Sequence, residues 1–246
     1  MPPQALETRH AGREMPTTRW SMVQALSAEP DRRREALEVF ARNYWPAVYG
    51  FIRMKGRSPQ EAEDLTQIFL AGLIEREVFA DLCQQRGRFR SWLLASLTNF
   101  LRNDARDRNR QKRGGGVDHL SIDRDLGEAW LEASASDDAS PDVVFDRNWA
   151  SGILERAMAQ LVEDYERQGR LEVVQVLAPM IAGLSQRIGY PEAGEKLGMS
   201  EQTARAAAFR MRKRLRKFVR DEVAATVGNA ADVDAEIDQL FAIFGA

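Results

Sequence analysis

Apolar residues recur along this chain at three- and four-residue intervals, the period of amphipathic helices. Alternating Val/Ile/Thr runs bounded by hairpin turns, the mark of strands, are nearly absent. The pattern predicts a short helix over Thr18–Ala28, with Trp20, Val23 and Leu26 inward. A longer one, capped by Asp31, runs through Leu37, Phe40 and Tyr44, and Pro46 either kinks or restarts it before Gly56. Ser58 and Pro59 open the next helix, whose apolar face is Leu65, Phe69 and Leu73. Arg86–Arg113 buries Trp92, Leu93, Leu97, Phe100 and Leu101. Gly114–Gly116 then breaks the periodicity, and Gly114–Pro141 is polar and acidic, with Trp130 and Leu131 able to anchor one helical turn. Helical spacing resumes at Asp142 and runs to Gly169, then through Arg170–Ile188 with Pro179 inside it. The expected fold is all-α: two helical domains, residues 18–113 and 142–227, joined by a flexible acidic linker over 114–141. Residues 1–17 are expected to be disordered, and 228–246 to form a helical extension with Val233, Ile237, Leu240, Phe241 and Phe244 on one face.

Tyr190–Arg220 carries the sharpest local signal. Glu192–Leu197 is a short helix with Pro191 at its start, where a missing N–H is harmless. Gly198 supplies a permissive turn residue, and Gly194 a small side chain where two helices cross steeply. Ser200 is placed to cap the second helix, with Glu201 in its first turn. Ala204, Ala208, Met211, Leu215 and Phe218 form its buried stripe. This is the layout of a helix-turn-helix.

Charge sharpens the picture. Net charge is only −2, yet its distribution is strongly polarised. Arg205–Arg220 holds eight Lys or Arg and no acid. A solvated helix face usually interleaves Glu with Lys; an unrelieved run repels itself until phosphates neutralise it and release counterions. Arg86–Arg113 has nine basic residues and two acids, net +7, whereas Asp118–Asp146 has one Arg and nine acids, net −8. In Arg86–Arg113 the cations are interleaved with Asn, Ser and aromatics, a composition suited to phosphates and unstacked bases. Periodicity alone places Trp92 and Phe100 in the core.

Composition, 44% hydrophobic and 29% charged, is that of a soluble globular chain long enough for two cores. One cysteine, Cys83, excludes an internal disulfide, suits a reducing cytoplasm and reads as a small apolar filler. No apolar run approaches a membrane span and no secretory h-region is visible; Met15 is an alternative start to Met1. His10 and His119 are isolated, so no metal site or cofactor is expected. Glu61, Glu63 and Asp64 read as an acidic helix start rather than a metal cluster. Gly114–Gly116 follows a helix instead of opening one, so it is no phosphate loop.

Several stretches together resemble bacterial RNA polymerase sigma factors: RNYWPAVYGFIR, SPQEAEDLTQIFLAGL, RFRSWLLASLTNFLRND and YPEAGEKLGMSEQTARAAAFRMRKRLRKFV. The two-domain layout is similar to the extracytoplasmic-function group. FDRNWASGILERAM and the closing VDAEIDQLF resemble a subgroup common in planctomycete-type bacteria. The resemblance implies a cytoplasmic, non-enzymatic transcription initiation factor whose partners are core RNA polymerase, through its β′ clamp helices and β flap, and promoter DNA. An anti-sigma factor or another regulator is a further partner the family allows. It implies polymerase contacts at Glu61, Glu63, Asp64, Leu65, Gln67 and Phe69, with Ile68 where the family commonly has an acid. It implies −10 contacts at Arg88, Arg90, Trp92, Asn99, Arg102, Asn103 and Arg106, the two asparagines reading or pocketing a flipped base. For the −35 element it implies Ser200, Thr203, Arg205, Phe209, Arg210, Arg212 and Lys213. Ala206 and Ala207 replace polar residues seen elsewhere in the family, which shifts readout toward DNA shape or thymine methyls.

Two rival readings remain at this point. A stand-alone helix-turn-helix regulator explains Tyr190–Arg220 equally well but leaves SPQEAEDLTQIFLAGL and the mid-chain basic helix without a role. A nucleic-acid hydrolase would need the metal cluster or phosphate loop that the sequence lacks.

Overall fold

The computed structural model describes residues 30–75, 89–108, 124–134, 139–181, 188–227 and 229–245. The Thr18–Ala28 helix, the 1–17 segment, Cys83, Arg88, His119 and Gly114–Gly116 lie outside the described residues. Among the described residues the fold is all-α, as the periodicity predicts. No helix among them is long and apolar enough to cross a membrane.

The centre of the molecule is α1, Pro30–Met54, one continuous helix that passes through Pro46. From Phe40 to Ile52 almost every side chain is buried, Arg42 and Asn43 excepted. A helix buried all round must be surrounded. Its neighbours are α2 (Pro59–Glu75), α4 (Arg124–Ser134) and α5 (Pro141–Arg167). The approach of α5 is close because Gly50 carries no side chain: a Cβ there would meet Asn148 Nδ2 at 2.6 Å. Asn148 uses that space to donate to the Pro46 carbonyl at 3.0 Å, which satisfies a buried amide.

The acidic stretch expected to be a flexible linker contains α4, an eleven-residue helix seated on α1. Glu128 fixes it there. It accepts from Tyr49 Oη, and from Arg53 Nε at 2.7 Å. Burial and the adjacent carboxylate raise the Tyr49 pKa, so the phenol stays protonated and remains a donor. Trp130 and Leu131 are half-buried, the anchoring that the sequence suggests.

Two apolar clusters organise the packing, and α5 runs through both. Its N-terminal part puts Phe145, Trp149, Ala150 and Ile153 into the first cluster, with Phe40, Tyr44, Leu65, Phe69, Leu93 and Leu97. Aromatic rings link these helices: Tyr44 lies 5.0 Å from Trp149 and 5.2 Å from Phe89, centroid to centroid, within the range of favourable ring pairs. Its C-terminal part puts Leu161 and Tyr165 into the second cluster, with Val174 and Leu177 of α6 (Leu171–Ile181), Ala193 of α7 (Tyr190–Lys196), and Ala207, Ala208 and Met211 of α8 (Glu201–Ala224). Helix α8 runs antiparallel to α5. Glu222 takes Arg156 Nε and Gln160 Nε2, both at 2.7 Å, and Arg214 meets Asp164 at 2.7 Å further along. The end of α8 and the C-terminal helix α9 (Val233–Gly245) return to the first cluster through Val219, Val223, Val233 and Leu240. The two clusters therefore do not divide at the 114–141 stretch; α5 and α8 span both of them.

Helix ends follow local chemistry. Ser140 caps α5 by accepting from Val143 N–H at 3.3 Å, which satisfies one of the donors a helix start leaves open. The helix ends at Gly169, φ +67°, where Arg170 N–H reaches back to the Tyr165 carbonyl at 2.8 Å. A left-handed glycine of this kind lets the last carbonyls find partners.

Candidate nucleic-acid and polymerase interfaces

Helix α2 begins with a reciprocal cap. Glu61 N–H donates to Ser58 Oγ at 3.3 Å, and the Glu61 carboxylate accepts from Ser58 N–H at 3.1 Å. The Glu61 carboxylate is thus part of the helix start, which argues against the metal reading of the acidic cluster. Glu63 is half-buried and Asp64 exposed. Leu65, Gln67 and Phe69, which the resemblance assigns to polymerase contact, are buried, at 3%, 7% and 4% exposure. The reason is phase: Leu65, Phe69 and Leu73 share the apolar stripe that holds α2 on the core. Phe69 packs there with its ring centroid 5.4 Å from that of Phe100. The outward face of α2 is instead Asp64 with Ile68 one turn on, and Ile68 is 41% exposed.

Helix α3, Phe89–Arg108, is seated by Phe89, Leu93 and Leu97. That seating turns Asn99, Arg102, Asn103 and Arg106 outward together, so four predicted −10 residues share one exposed stripe. Upstream on the helix Ser91 and Ala95 are also exposed, and an open groove lined by Arg90, Ser91, Leu94, Ala95, Thr98 and Asn99 leads into the stripe. Trp92 is half-buried with its ring centroid 5.5 Å from that of Phe89, on the core side as periodicity predicts.

Arg90 departs from expectation. Its guanidinium points into the molecule and is taken by three partners on two other helices: Asp146 of α5, Glu236 Oε1 at 2.8 Å and Gln239 Oε1 at 2.9 Å, both of α9. Burial alone lowers the pKa of this group, but the hydrogen bonds to Asp146 and Glu236 more than offset it and keep the arginine charged. With its side chain 12% exposed, Arg90 is a tie between α3 and the C-terminal helix in this structure, not a free phosphate contact.

In the helix-turn-helix, α7 ends at Gly198, φ +62°, and Met199 N–H closes the turn onto the Gly194 carbonyl at 2.9 Å, the bonding expected of a glycine helix stop. A Cβ on Gly194 would meet the Met199 carbonyl oxygen at 2.6 Å, so it is the turn backbone that demands glycine there. Ser200 caps α8 as predicted, accepting from Thr203 N–H at 3.2 Å. Ala204, Ala207, Ala208 and Met211 face inward. Ala207 is buried, at 2% exposure, whereas Ala206 is exposed. On the outer face Thr203, Arg205, Phe209, Arg210 and Lys213 are exposed, and Phe209 at 66% is the most exposed large apolar side chain described. Arg212 is half-buried and donates to Tyr190 Oη at 3.0 Å. Arg205 Nε and Nη2 both donate to Glu201 Oε1, at 2.9 Å and 2.7 Å respectively. The Arg205 guanidinium also lies 5.1 Å over the Tyr190 ring, close enough for a cation–π contact. Sequence reasoning missed Tyr190. Its position just before Pro191, at the start of the first helix of the motif, was the available signal, because that start lies beside the second helix.

Residues 40–111 match the family model of Sigma-70 region 2. The match covers α1 from Phe40, all of α2 and α3, and with them the exposed Asn99–Arg106 stripe. Neither the curated proteins nor the solved structures yield a match.

Proposed function

We propose that the protein is a sigma factor of the extracytoplasmic-function type, similar to the planctomycete-like subgroup, which binds core RNA polymerase and directs promoter recognition and melting. One observation carries the reading: the Sigma-70 region 2 match coincides with an exposed Arg/Asn stripe on α3, and a separate basic helix-turn-helix follows it in the chain. In this reading the exposed face of α2, Asp64 and Ile68 with Glu63 beside them, meets the clamp helices of the largest polymerase subunit. The α3 stripe captures the −10 element. Arg102 and Arg106 hold phosphates, while Asn99 and Asn103 bond the edges of an unstacked base. Unstacking costs a few kcal/mol, so the strand must gain that much by binding. Helix α8 enters the −35 major groove, with Arg205, Phe209 and Arg210 toward base edges and Lys213 toward phosphate.

The two DNA-facing helices sit on one packed body here. A promoter that engages both elements gives the acidic 114–141 stretch its purpose. Released from α1, its coil span would be roughly 30 Å, and its charge suits a path lined by basic residues.

The test is gel filtration of the purified protein with bacterial core RNA polymerase. Co-elution that Asp64→Arg abolishes, together with promoter-dependent transcription, is the expected result. A protein that stays apart from core yet shifts duplex DNA by itself is a stand-alone helix-turn-helix regulator, and that outcome sinks the sigma reading.

A further inference from the structure

We infer that Tyr190 and Glu201 are positioning residues that hold the Arg205 guanidinium ready to read a guanine in the major groove. The inference rests on α8 entering duplex DNA, a premise shared by the proposed function and by the regulator reading.

An arginine has five N–H donors in a planar fork. Glu201 Oε1 takes Nε–H and one Nη2–H of Arg205, at 2.9 Å and 2.7 Å. Both Nη1 protons and the second Nη2 proton remain; one Nη1 proton and that Nη2 proton form the end-on fork that matches guanine O6 and N7. Beneath the guanidinium, 5.1 Å away, lies the Tyr190 ring, which restricts rotation of the plane. Glu201 is the first residue of α8, directly after its Ser200 cap. An exposed i,i+4 ion pair alone holds little. Here the pair is joined by a ring contact from another helix, and the same Tyr190 accepts from Arg212 Nη2 at 3.0 Å. One tyrosine of α7 therefore touches two arginines of α8. Long side chains lose much rotamer freedom on binding, and a fork fixed beforehand loses less of it per bond formed. Such pre-ordering favours the base whose acceptors fit the fixed fork and does little for nonspecific phosphate affinity.

The experiment is selection of full-length protein on duplexes randomised at the upstream element, run with and without core RNA polymerase. Wild type and the variants Tyr190→Ala, Tyr190→Phe, Glu201→Gln and Arg205→Ala are compared position by position. The wild type is expected to select guanine at one position, and Arg205→Ala to erase that preference. Tyr190→Ala and Glu201→Gln are expected to weaken it about 5- to 10-fold while the other positions keep theirs, a range within what one bidentate base contact discriminates. Tyr190→Phe, which keeps the ring, should retain most of it. Replacing the selected guanine by 7-deazaguanine, which removes the N7 acceptor, should reduce wild-type binding more than binding of Tyr190→Ala.

The inference is overturned if Tyr190→Ala and Glu201→Gln keep the full guanine preference, or flatten every position equally. Selection of no sequence by any form also overturns it. A guanine preference that appears without core polymerase, with no polymerase-dependent transcription, sinks the sigma reading and leaves this inference standing.

Discussion

Arg90 and Arg205 both lie on helices that the proposed function turns toward nucleic acid, and their surroundings differ sharply. Arg205 is on the surface, where its partners can orient it without preventing it from touching a base. Arg90 is inside, against Glu236, whose side chain is 1% exposed. Breaking a buried pair by removing one partner leaves a charge without compensation, at roughly 3–5 kcal/mol. Arg90→Ala should therefore lower the unfolding free energy by about that amount, as read by denaturant titration. An ordinary phosphate contact replaced by alanine would leave stability nearly unchanged and weaken only DNA binding.

At the scale of elements, the helices are set by caps and turn glycines that act over a few residues. Ser200 holds the first turn of α8 through Thr203 N–H. Ser200→Ala should cost about 1 kcal/mol in thermal or denaturant unfolding, the usual worth of a cap. Loss of DNA affinity well beyond that stability change would show that the Ser200 hydroxyl also meets DNA. The phase of α2 has its own lesson. Spacing alone put Leu65 and Phe69 on the core face, whereas the family resemblance put both of them, with Gln67, against polymerase. In the structure all three are buried. What the element offers a partner is Asp64 and Ile68, and the Asp64→Arg experiment probes that face.

For the whole molecule, α9 is the decisive piece. Val233 and Leu240 enter the first apolar cluster, Glu236 and Gln239 hold Arg90, and Asp234 pairs with Arg220 of α8. Truncation after Thr226 would expose Ile153 and Val219, and would take two of the three Arg90 acceptors, leaving Asp146. The shortened protein is expected to melt at lower temperature or become insoluble. A truncated chain that melts like the full one and transcribes more strongly would instead make α9 an inhibitory cover.

The sequence by itself determined whatever depends on neighbours a few residues away. Helical period gave the all-α class and most element boundaries, while Ser58, Ser200, Gly169 and Gly198 marked helix ends that the structure bears out. The unrelieved run of cations on α8 pointed to nucleic acid, and the motif stretches of α1–α3 pointed to the family whose region 2 matches residues 40–111. Tertiary structure alone decided the rest. Arg90 and Glu236 are 146 residues apart, and no local pattern tells an arginine which carboxylate the packing will bring to it. The acidic 114–141 stretch had the composition of a linker, yet Glu128 found Tyr49 and Arg53 and held α4 on the core. Tyr190 gained its place under Arg205 only because the turn at Gly198 folds α7 beside α8. Caps and periodicity act through bonds within one or two turns, whereas these contacts depend on the relative placement of whole helices, which the summed packing of both apolar clusters sets.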